Sequence, residues 1–186
     1  MLDRLRRYVS RFIVPVAKIF LSLGFSPNLV SVLGLLFAFL ASYLLFLGRS
    51  SLAALFILVS GFFDVLDGAV ARVGGLVSGF GGFFDSVLDR LSDASLFFAL
   101  IYFHLCGLGW GLLALIGSLL VSYVRAKGEL LGVRLAGVGV AERSERLLIL
   151  SFGLFFGLVD WAVMLIVFLT FLTVFIRSLF VWRALR

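Results

Sequence analysis

The stretch from Asp64 to Asp89, DVLDGAVARVGGLVSGFGGFFDSVLD, places four aspartates among apolar residues and glycines. Its spacing predicts two helical faces, because residues three and four apart share one face of a helix. The first face carries Asp64, Asp67, Gly68 and Ala71. The second face carries Gly81, Asp85 and Asp89. A short glycine-rich turn separates the two helices, so they are expected to pack as antiparallel neighbours and to bring the four carboxylates together.

The rest of the chain is unusually apolar for a folded protein. Of its 186 residues 63% are hydrophobic, and the mean hydropathy is +1.23, whereas soluble domains are about half apolar. Since each span needs roughly 20 residues, the length allows six transmembrane helices and no separate soluble domain. The sequence therefore predicts an all-α integral membrane protein.

The predicted organisation has two parts. Residues 1–24 mix apolar and basic residues at helical spacing, which is typical of an amphipathic helix lying on the membrane surface. Residues 25–186 are predicted to form one six-helix transmembrane domain. Its spans are expected at about 28–47, 51–73, 79–105, 110–131, 144–159 and 160–182. The N-terminus lacks the early cleavage pattern of a signal peptide.

The net charge of +6 is explained by membrane topology, since Lys and Arg gather on cytoplasmic loops. This rule puts both termini in the cytoplasm, and the ionisable residues of the spans then fall in the cytoplasmic half. We therefore expect one polar cavity that opens to the cytoplasm. No basic surface is large enough for nucleic acid, and the single cysteine, Cys106, excludes an internal disulfide.

Four carboxylates in a low-dielectric setting repel one another and favour protonation. Divalent cations offset that repulsion with their positive charge. The oxygen-only set of ligands suits hard ions such as Mg²⁺, Mn²⁺ or Ca²⁺. Paired ions of this kind are common in phosphoryl chemistry. Two alternatives remain open on spacing alone. One is buried ion pairing of the aspartates with Arg72 and Arg90. The other is a cation-coupled transporter, although the apolar outer halves of the spans argue against a translocation path.

The 26-residue stretch resembles the signature of the CDP-alcohol phosphotransferase family, and all eight fixed positions are filled. These positions are Asp64, Asp67, Gly68, Ala71, Arg72, Gly81, Asp85 and Asp89. The six-helix architecture of that family also matches the predicted topology. The resemblance implies an enzyme in which the hydroxyl of a second alcohol attacks the phosphorus next to the CDP-linked alcohol. CMP then leaves.

The resemblance also implies roles for individual residues. Two divalent ions, Mg²⁺ or Mn²⁺, are expected on Asp64, Asp67, Asp85 and Asp89, and Asp89 is expected to act as the general base. The expected CDP-binding residues are Asn28, Asp64, Gly68, Ala71, Arg72 and Gly81. For Asn28, a role as a simple helix cap is an equal alternative. Many members of the family are homodimers, so a homodimer is expected by resemblance.

The segments SYVRAKGE (122–129) and VAERSERLLIL (140–150) resemble those of phosphatidylinositol-phosphate synthases and their archaeal ether-lipid counterparts. This resemblance implies transfer from a CDP-linked dialkyl- or diacylglycerol to inositol 1-phosphate. The acceptor phosphate is expected on Arg125, Lys127, Arg143, Arg146 and Arg177, with Glu142 and Glu145 orienting the arginines. Arginine suits phosphate because its fork of donors binds two oxygens. Glycerol 3-phosphate also needs cations and remains an alternative acceptor, and positive-inside or snorkelling residues remain an alternative reading of the basic positions.

Overall fold

The computed structural model describes residues 2–140 and 142–186, with side chains from residue 12 onward. Within these residues all regular secondary structure is α-helical, as predicted. The helices are α1 (Leu2–Ser22), α2 (Pro27–Phe46), α3 (Ser50–Val73), α4 (Gly79–Tyr102), α5 (Leu108–Leu130), α6 (Arg143–Phe156) and α7 (Val159–Ala184). Each helix lies within a few residues of its predicted range.

The helix starts near the aspartates are fixed by serine caps. The Ser26 side chain accepts a hydrogen bond from the Leu29 N–H at 3.3 Å, and Pro27 occupies the first helical position of α2. The Ser78 side chain accepts from the Gly81 N–H at 3.0 Å and caps α4. The alternative in which Asn28 is the cap of α2 is therefore wrong, because Ser26 holds that position.

Four helices, α2, α3, α5 and α7, are long and apolar enough to cross a membrane. The 24-residue α4 carries Asp85, Asp89, Arg90 and Asp93, and α6 has only 14 residues. The α6 helix ends at Phe156 and is capped by Gly157, whose φ of 71° is a left-handed conformation that suits glycine. The expectation of an all-helical membrane chain is confirmed, and the number of six spans stays a prediction.

Helix α2 organises the packing around the aspartates, because it packs against both α3 and α4. A Cβ added at Gly34 of α2 would lie 3.3 Å from the Phe63 Cβ on α3, and the Ser60 hydroxyl donates to the Gly34 carbonyl at 2.8 Å. Small residues of this kind let helix backbones approach closely in a bilayer. The expected direct packing of α3 on α4 is thus replaced mainly by packing of both helices on α2.

Two apolar clusters flank the aspartates. The larger cluster contains residues of all six helices from α2 through α7, among them Ile57 of α3 and Leu96 of α4. The smaller one joins α1, α2 and α3 and includes Ala17 and Val70. Along the chain the aspartates of α3 follow Ile57 and those of α4 precede Leu96, so the polar site lies between the two clusters.

Candidate active site

Three of the predicted aspartates form a compact group, here called the three-carboxylate site. Asp64 of α3 and Asp85 and Asp89 of α4 each offer one carboxylate oxygen, and these oxygens lie within 4.8 Å of one another. All three side chains are half-buried. The two helical faces predicted from spacing therefore do meet through their side chains.

Asp67, the fourth predicted aspartate, is 6% exposed and lies beside this group rather than within it. Its Oδ2 accepts a hydrogen bond from the hydroxyl of Ser31 on α2. The two residues line a small cavity together with Asp64, Asp85 and Asp89. Ser31 is a site residue that sequence reasoning missed, and its only signal was a polar side chain in the first turns of an apolar helix.

The donor set of the three-carboxylate site fits a hard divalent cation. Its ligand atoms are all carboxylate oxygens, which Mg²⁺, Mn²⁺ and Ca²⁺ prefer. Their separations of at most 4.8 Å allow one ion to contact several of them. Asp67 lies near enough to contribute to the same site, since it interacts with both Asp64 and Asp85.

Arg143, the first residue of α6, contacts the three-carboxylate site directly. Its Nη1 lies 3.0 Å from Oδ1 of Asp64 and 2.6 Å from Oδ1 of Asp89. The sequence predicted Arg143 as an acceptor-phosphate ligand and did not predict this contact. The alternative prediction was that the aspartates form buried ion pairs with Arg72 and Arg90. The shorter contacts of Asp64 and Asp89 are instead with Arg143. Arg90 lies 3.6 Å from Asp89, whereas Arg143 lies 2.6 Å from the same carboxylate.

Asp93 is a second residue that sequence reasoning missed. It lies one helical turn after Asp89 on α4, and its Oδ2 accepts from Arg146 Nη2 at 2.8 Å. Its Oδ1 accepts from Arg143 Nε at 3.4 Å. The available signal was the four-residue repeat of Asp85 and Asp89, which continues to Asp93 on the same face.

A cavity of about 320 Å³, here called the glycine-lined cavity, contains most of the predicted CDP-binding residues. Its lining includes Asn28, Gly68, Ala71, Arg72 and Gly81. A Cβ added at Gly68 would lie 3.1 Å from Arg72 Nη1, and one at Gly81 would lie 3.4 Å from the Asn28 Oδ1. Asp64, the remaining member of that predicted set, lines a neighbouring cavity of about 560 Å³ with Gly68 and Arg72.

A cavity of about 90 Å³, here called the arginine pocket, is lined in part by Asp89. Four of the five predicted acceptor-phosphate residues line it, namely Arg125, Arg143, Arg146 and Arg177. The fifth, Lys127, is exposed and is not among the residues that line the pocket. Among the described residues, five arginines and three carboxylates line the pocket, and together they carry a formal charge of two positive. Arginine forks and a net positive charge suit a phosphate group.

Arg177 has a different setting from the other arginines, because its donors are used by the protein. It is 1% exposed, its Nε donates to the Val138 carbonyl and its Nη1 to the Val121 carbonyl, both at 2.8 Å. Its Nη2 lies 3.7 Å from Glu142 Oε1. Arg177 therefore ties the connection that precedes α6 to α5, besides facing the arginine pocket. Glu142 contacts an arginine as expected.

The same connection is held against α7 by Thr173. The Val140 N–H donates to the Thr173 hydroxyl at 3.2 Å. Gly139 has a φ of 115°, and a Cβ there would lie 2.5 Å from the Thr173 methyl group. Only glycine combines this backbone conformation with so close an approach. These contacts fix the chain just before Arg143 and thus help to set where α6 begins.

The chain is similar in sequence to known proteins of one family. The sequence profile of the CDP-alcohol phosphatidyltransferase family matches residues 25–175. An archaetidylinositol phosphate synthase of Pyrococcus horikoshii is 41% identical over 173 residues, covering 93% of this chain and 92% of the relative. A protein of the same name in Methanothermobacter thermautotrophicus is 39% identical over 192 residues, covering 100% of this chain and 96% of the relative.

Solved structures are also similar. A crystal structure of Mycobacterium tuberculosis phosphatidylinositol phosphate synthase with CDP-DAG bound superposes with a TM-score of 0.79 at 30% identity, covering 92% of this chain and 94% of the other. The same enzyme in complex with manganese and citrate gives a TM-score of 0.78 at 31% identity, covering 91% and 88%. The chain therefore belongs to the CDP-alcohol phosphatidyltransferase family.

Proposed function

We infer that this chain is a membrane enzyme that transfers the phosphatidyl-type group of a CDP-linked dialkyl- or diacylglycerol to inositol 1-phosphate and releases CMP. The observation that carries this inference is the contact between the arginine pocket and the three-carboxylate site through Arg143. An already phosphorylated acceptor needs positively charged side chains next to the reacting centre, and the arginines of this pocket lie beside the three-carboxylate site. The names of the similar synthases support the same acceptor.

We propose that Asp64, Asp67, Asp85 and Asp89 hold two divalent cations, Mg²⁺ or Mn²⁺. When bound, such ions polarise phosphoryl oxygens and neutralise the charge that develops on them. The oxygen-only donor set supports this assignment. A structure of the tuberculosis enzyme in complex with manganese supports it as well.

Asp89 is proposed as the general base, which requires hydrogen-bond reach to the acceptor hydroxyl. Its carboxylate borders the arginine pocket, so an acceptor whose phosphate is bound there would hold its hydroxyl near Asp89. In the proposed reaction the hydroxyl oxygen bonds to the phosphorus nearest the lipid. The bond from that phosphorus to the bridging oxygen of the pyrophosphate breaks, the hydroxyl proton moves to Asp89, and CMP leaves with the bridging oxygen.

The glycine-lined cavity is proposed to bind the CDP end of the donor. Gly68 and Gly81 leave room for it, because neither has a side chain to fill the space beside Arg72 and Asn28. Arg72 lines both this cavity and the neighbouring one, and its guanidinium is proposed to contact the pyrophosphate. Asp64 would act here through the metal ions, since it lines the neighbouring cavity and is not among the described residues that line the glycine-lined one.

The setting of the enzyme in the membrane is proposed from the sequence pattern. We propose that the segment 1–24 provides an interfacial helix and that residues 25–186 make up a domain of six spans. The positive-inside rule puts both termini and the active site on the cytoplasmic side. Helices α4 and α6 are proposed to complete the six spans beside the four helices that are long and apolar enough by themselves. A homodimer is proposed from the family resemblance.

The function is tested by measuring CMP release from CDP-dialkylglycerol and CDP-diacylglycerol in proteoliposomes with Mg²⁺ or Mn²⁺. Inositol 1-phosphate, glycerol 3-phosphate and no acceptor are compared. We expect release that depends on the divalent ion and is stimulated by inositol 1-phosphate. Stimulation by glycerol 3-phosphate alone would overturn the acceptor, and absence of release with any acceptor from folded protein would favour the transporter alternative.

A further inference from the structure

Asp93 is one of the most enclosed charged residues outside the predicted catalytic set. It is 5% exposed, and its partner Arg146 is 4% exposed. Burying an ion pair carries a large desolvation cost, and in some proteins such a pair fixes a specific arrangement of its neighbours. The surroundings of Asp93 therefore indicate what arrangement it fixes.

The two oxygens of Asp93 are divided between two arginines of α6. Oδ2 accepts from Arg146 Nη2 at 2.8 Å, and Oδ1 accepts from Arg143 Nε at 3.4 Å. The arginines are three residues apart, so they share one face of α6. One carboxylate thus sets the direction of both guanidinium groups that line the arginine pocket.

The geometry of Arg143 makes this contact consequential. Its Nε side faces Asp93, while its Nη1 faces Asp64 and Asp89. A guanidinium is planar, so fixing the Nε edge also fixes where the Nη atoms point. Asp93 therefore acts on the reacting centre through Arg143, and it lies one turn further from that centre than Asp89.

We propose that Asp93 is a positioning residue that orients Arg143 and Arg146 to bind the phosphate of the acceptor. The proposal rests on the proposed function, since it assigns the arginine pocket to that phosphate. Asp93 does not belong to the group of carboxylates that could share a cation among the described residues. Both of its oxygens face arginines instead, so it is not assigned to the metal ions.

Charge and orientation predict opposite effects of neutralising Asp93. The arginine pocket carries a formal charge of two positive, and Asp93→Asn would raise it to three. If Asp93 acted only as a charge, the variant would bind a phosphorylated acceptor more tightly. If Asp93 positions the two arginines, the variant would bind it more weakly despite the added positive charge.

The experiment measures the binding of inositol 1-phosphate by isothermal titration calorimetry and the steady-state KM values of both substrates. It uses the full chain and the variants Asp93→Asn and Asp93→Glu. We expect the Kd and KM for inositol 1-phosphate to rise roughly tenfold to a hundredfold, as is usual when a partner that orients a ligand-binding side chain is removed. The KM of the CDP-lipid is expected to change by less than about twofold, because Asp93 is not among the described residues that line the glycine-lined cavity.

Three further variants are measured in the same way. Asp160→Asn is the matched control, because Asp160 is an exposed carboxylate at the start of α7. In Arg146→Gln the acceptor KM should rise, and adding Asp93→Asn should raise it by much less than the product of the two single effects. Such non-additivity is the mark of residues that act through each other. Asp93→Glu keeps the buried negative charge but moves it. If Asp93→Asn unfolds, the acceptor Kd and KM of Asp93→Glu therefore test the positioning role.

The outcomes separate this inference from the proposed function. A parent protein that does not bind inositol 1-phosphate overturns the proposed function itself. A parent that binds it, together with folded Asp93 variants whose acceptor Kd and KM are unchanged or lower, overturns only the role of Asp93. An equal rise in the KM values of the donor and the acceptor would also overturn the role of Asp93, because a general structural role would affect the binding of both substrates.

Discussion

The Nη1 atom of Arg143 lies 2.6 Å from Oδ1 of Asp89, and it joins the three-carboxylate site to the arginine pocket. The same nitrogen is 3.0 Å from Oδ1 of Asp64. A metal ion on Asp64 and Asp89 would bind the same two carboxylates as this guanidinium. Metal binding and the position of Arg143 are therefore coupled by geometry.

This coupling predicts the behaviour of Arg143→Gln. The variant should bind Mn²⁺ as tightly as the parent or up to about tenfold more tightly, because a positive charge next to the carboxylates is removed. Acceptor-dependent CMP release should nevertheless fall by roughly a hundredfold or more, since a charge-assisted contact to phosphate is lost. Electron paramagnetic resonance of free Mn²⁺ measures the first quantity. Loss of Mn²⁺ binding in a folded variant would contradict the coupling.

The glycines of the donor cavity give a second prediction. Gly68→Ala and Gly81→Ala should raise the KM of the CDP-lipid by about tenfold, because small displacements of binding groups are costly. The added Cβ would lie 3.1 Å from Arg72 Nη1 in the first variant and 3.0 Å from the Ser78 hydroxyl in the second. Gly79→Ala is the control, since a Cβ there has no neighbouring atom within 4 Å among the described residues. Equal KM values in all three variants would argue against this cavity as the CDP site.

The predicted phosphate ligands are expected to differ in importance. Arg146→Gln should raise the KM of inositol 1-phosphate by roughly tenfold to a hundredfold, which corresponds to the loss of a charged hydrogen bond. Lys127→Gln should change it by less than about twofold, because Lys127 is exposed and does not line the arginine pocket. Steady-state kinetics with saturating CDP-lipid measures both values. A larger effect of the Lys127 variant would mean that the pocket is assigned wrongly.

Cys106 offers a test of packing at the opposite end of the helices. The thiol is buried in the connection between α4 and α5, and burial, assisted by the nearby Asp160 carboxylate, raises its pKa above the ordinary value. A raised pKa leaves less thiolate at pH 7, and the thiolate is the reactive form. Maleimide labelling of the folded protein should therefore be slow at pH 7 and accelerate as the pH rises. Rapid labelling at pH 7 before addition of a denaturant would contradict this packing.

The helices and the aspartates could be predicted from sequence because their signals are local. Long apolar runs end at clear helix breakers such as Gly24, Ser26 and Gly157. The predicted helix bounds therefore lie within a few residues of the observed ones. The positions of Asp64, Asp85 and Asp89 on helical faces follow from spacing alone, and the structure brings them within 4.8 Å of one another. The family resemblance added the CDP-binding residues, most of which share one cavity.

The contacts between distant helices could not be predicted in the same way. The contact of Arg143 with Asp64 and Asp89 depends on how α6 packs against α3, which no local pattern records. The resemblance grouped Arg125 and Lys127 together. Residues two apart do not share a helical face, however, and only Arg125 lines the arginine pocket. Asp93 had a usable signal in its spacing, but it lies outside the family signature.

The most direct test of the account follows a labelled phosphate into lipid. Inositol 1-[³²P]phosphate is supplied to proteoliposomes that contain the CDP-lipid, a divalent cation and either the parent or Asp89→Asn. We predict that the label moves into the lipid phase with one CMP released per label. Asp89→Asn should lower the rate by about a hundredfold to ten-thousandfold, as expected for loss of a general base. Labelled lipid formed at an undiminished rate by folded Asp89→Asn would contradict the proposed role of Asp89, and the absence of labelled lipid with the parent would contradict the proposed reaction.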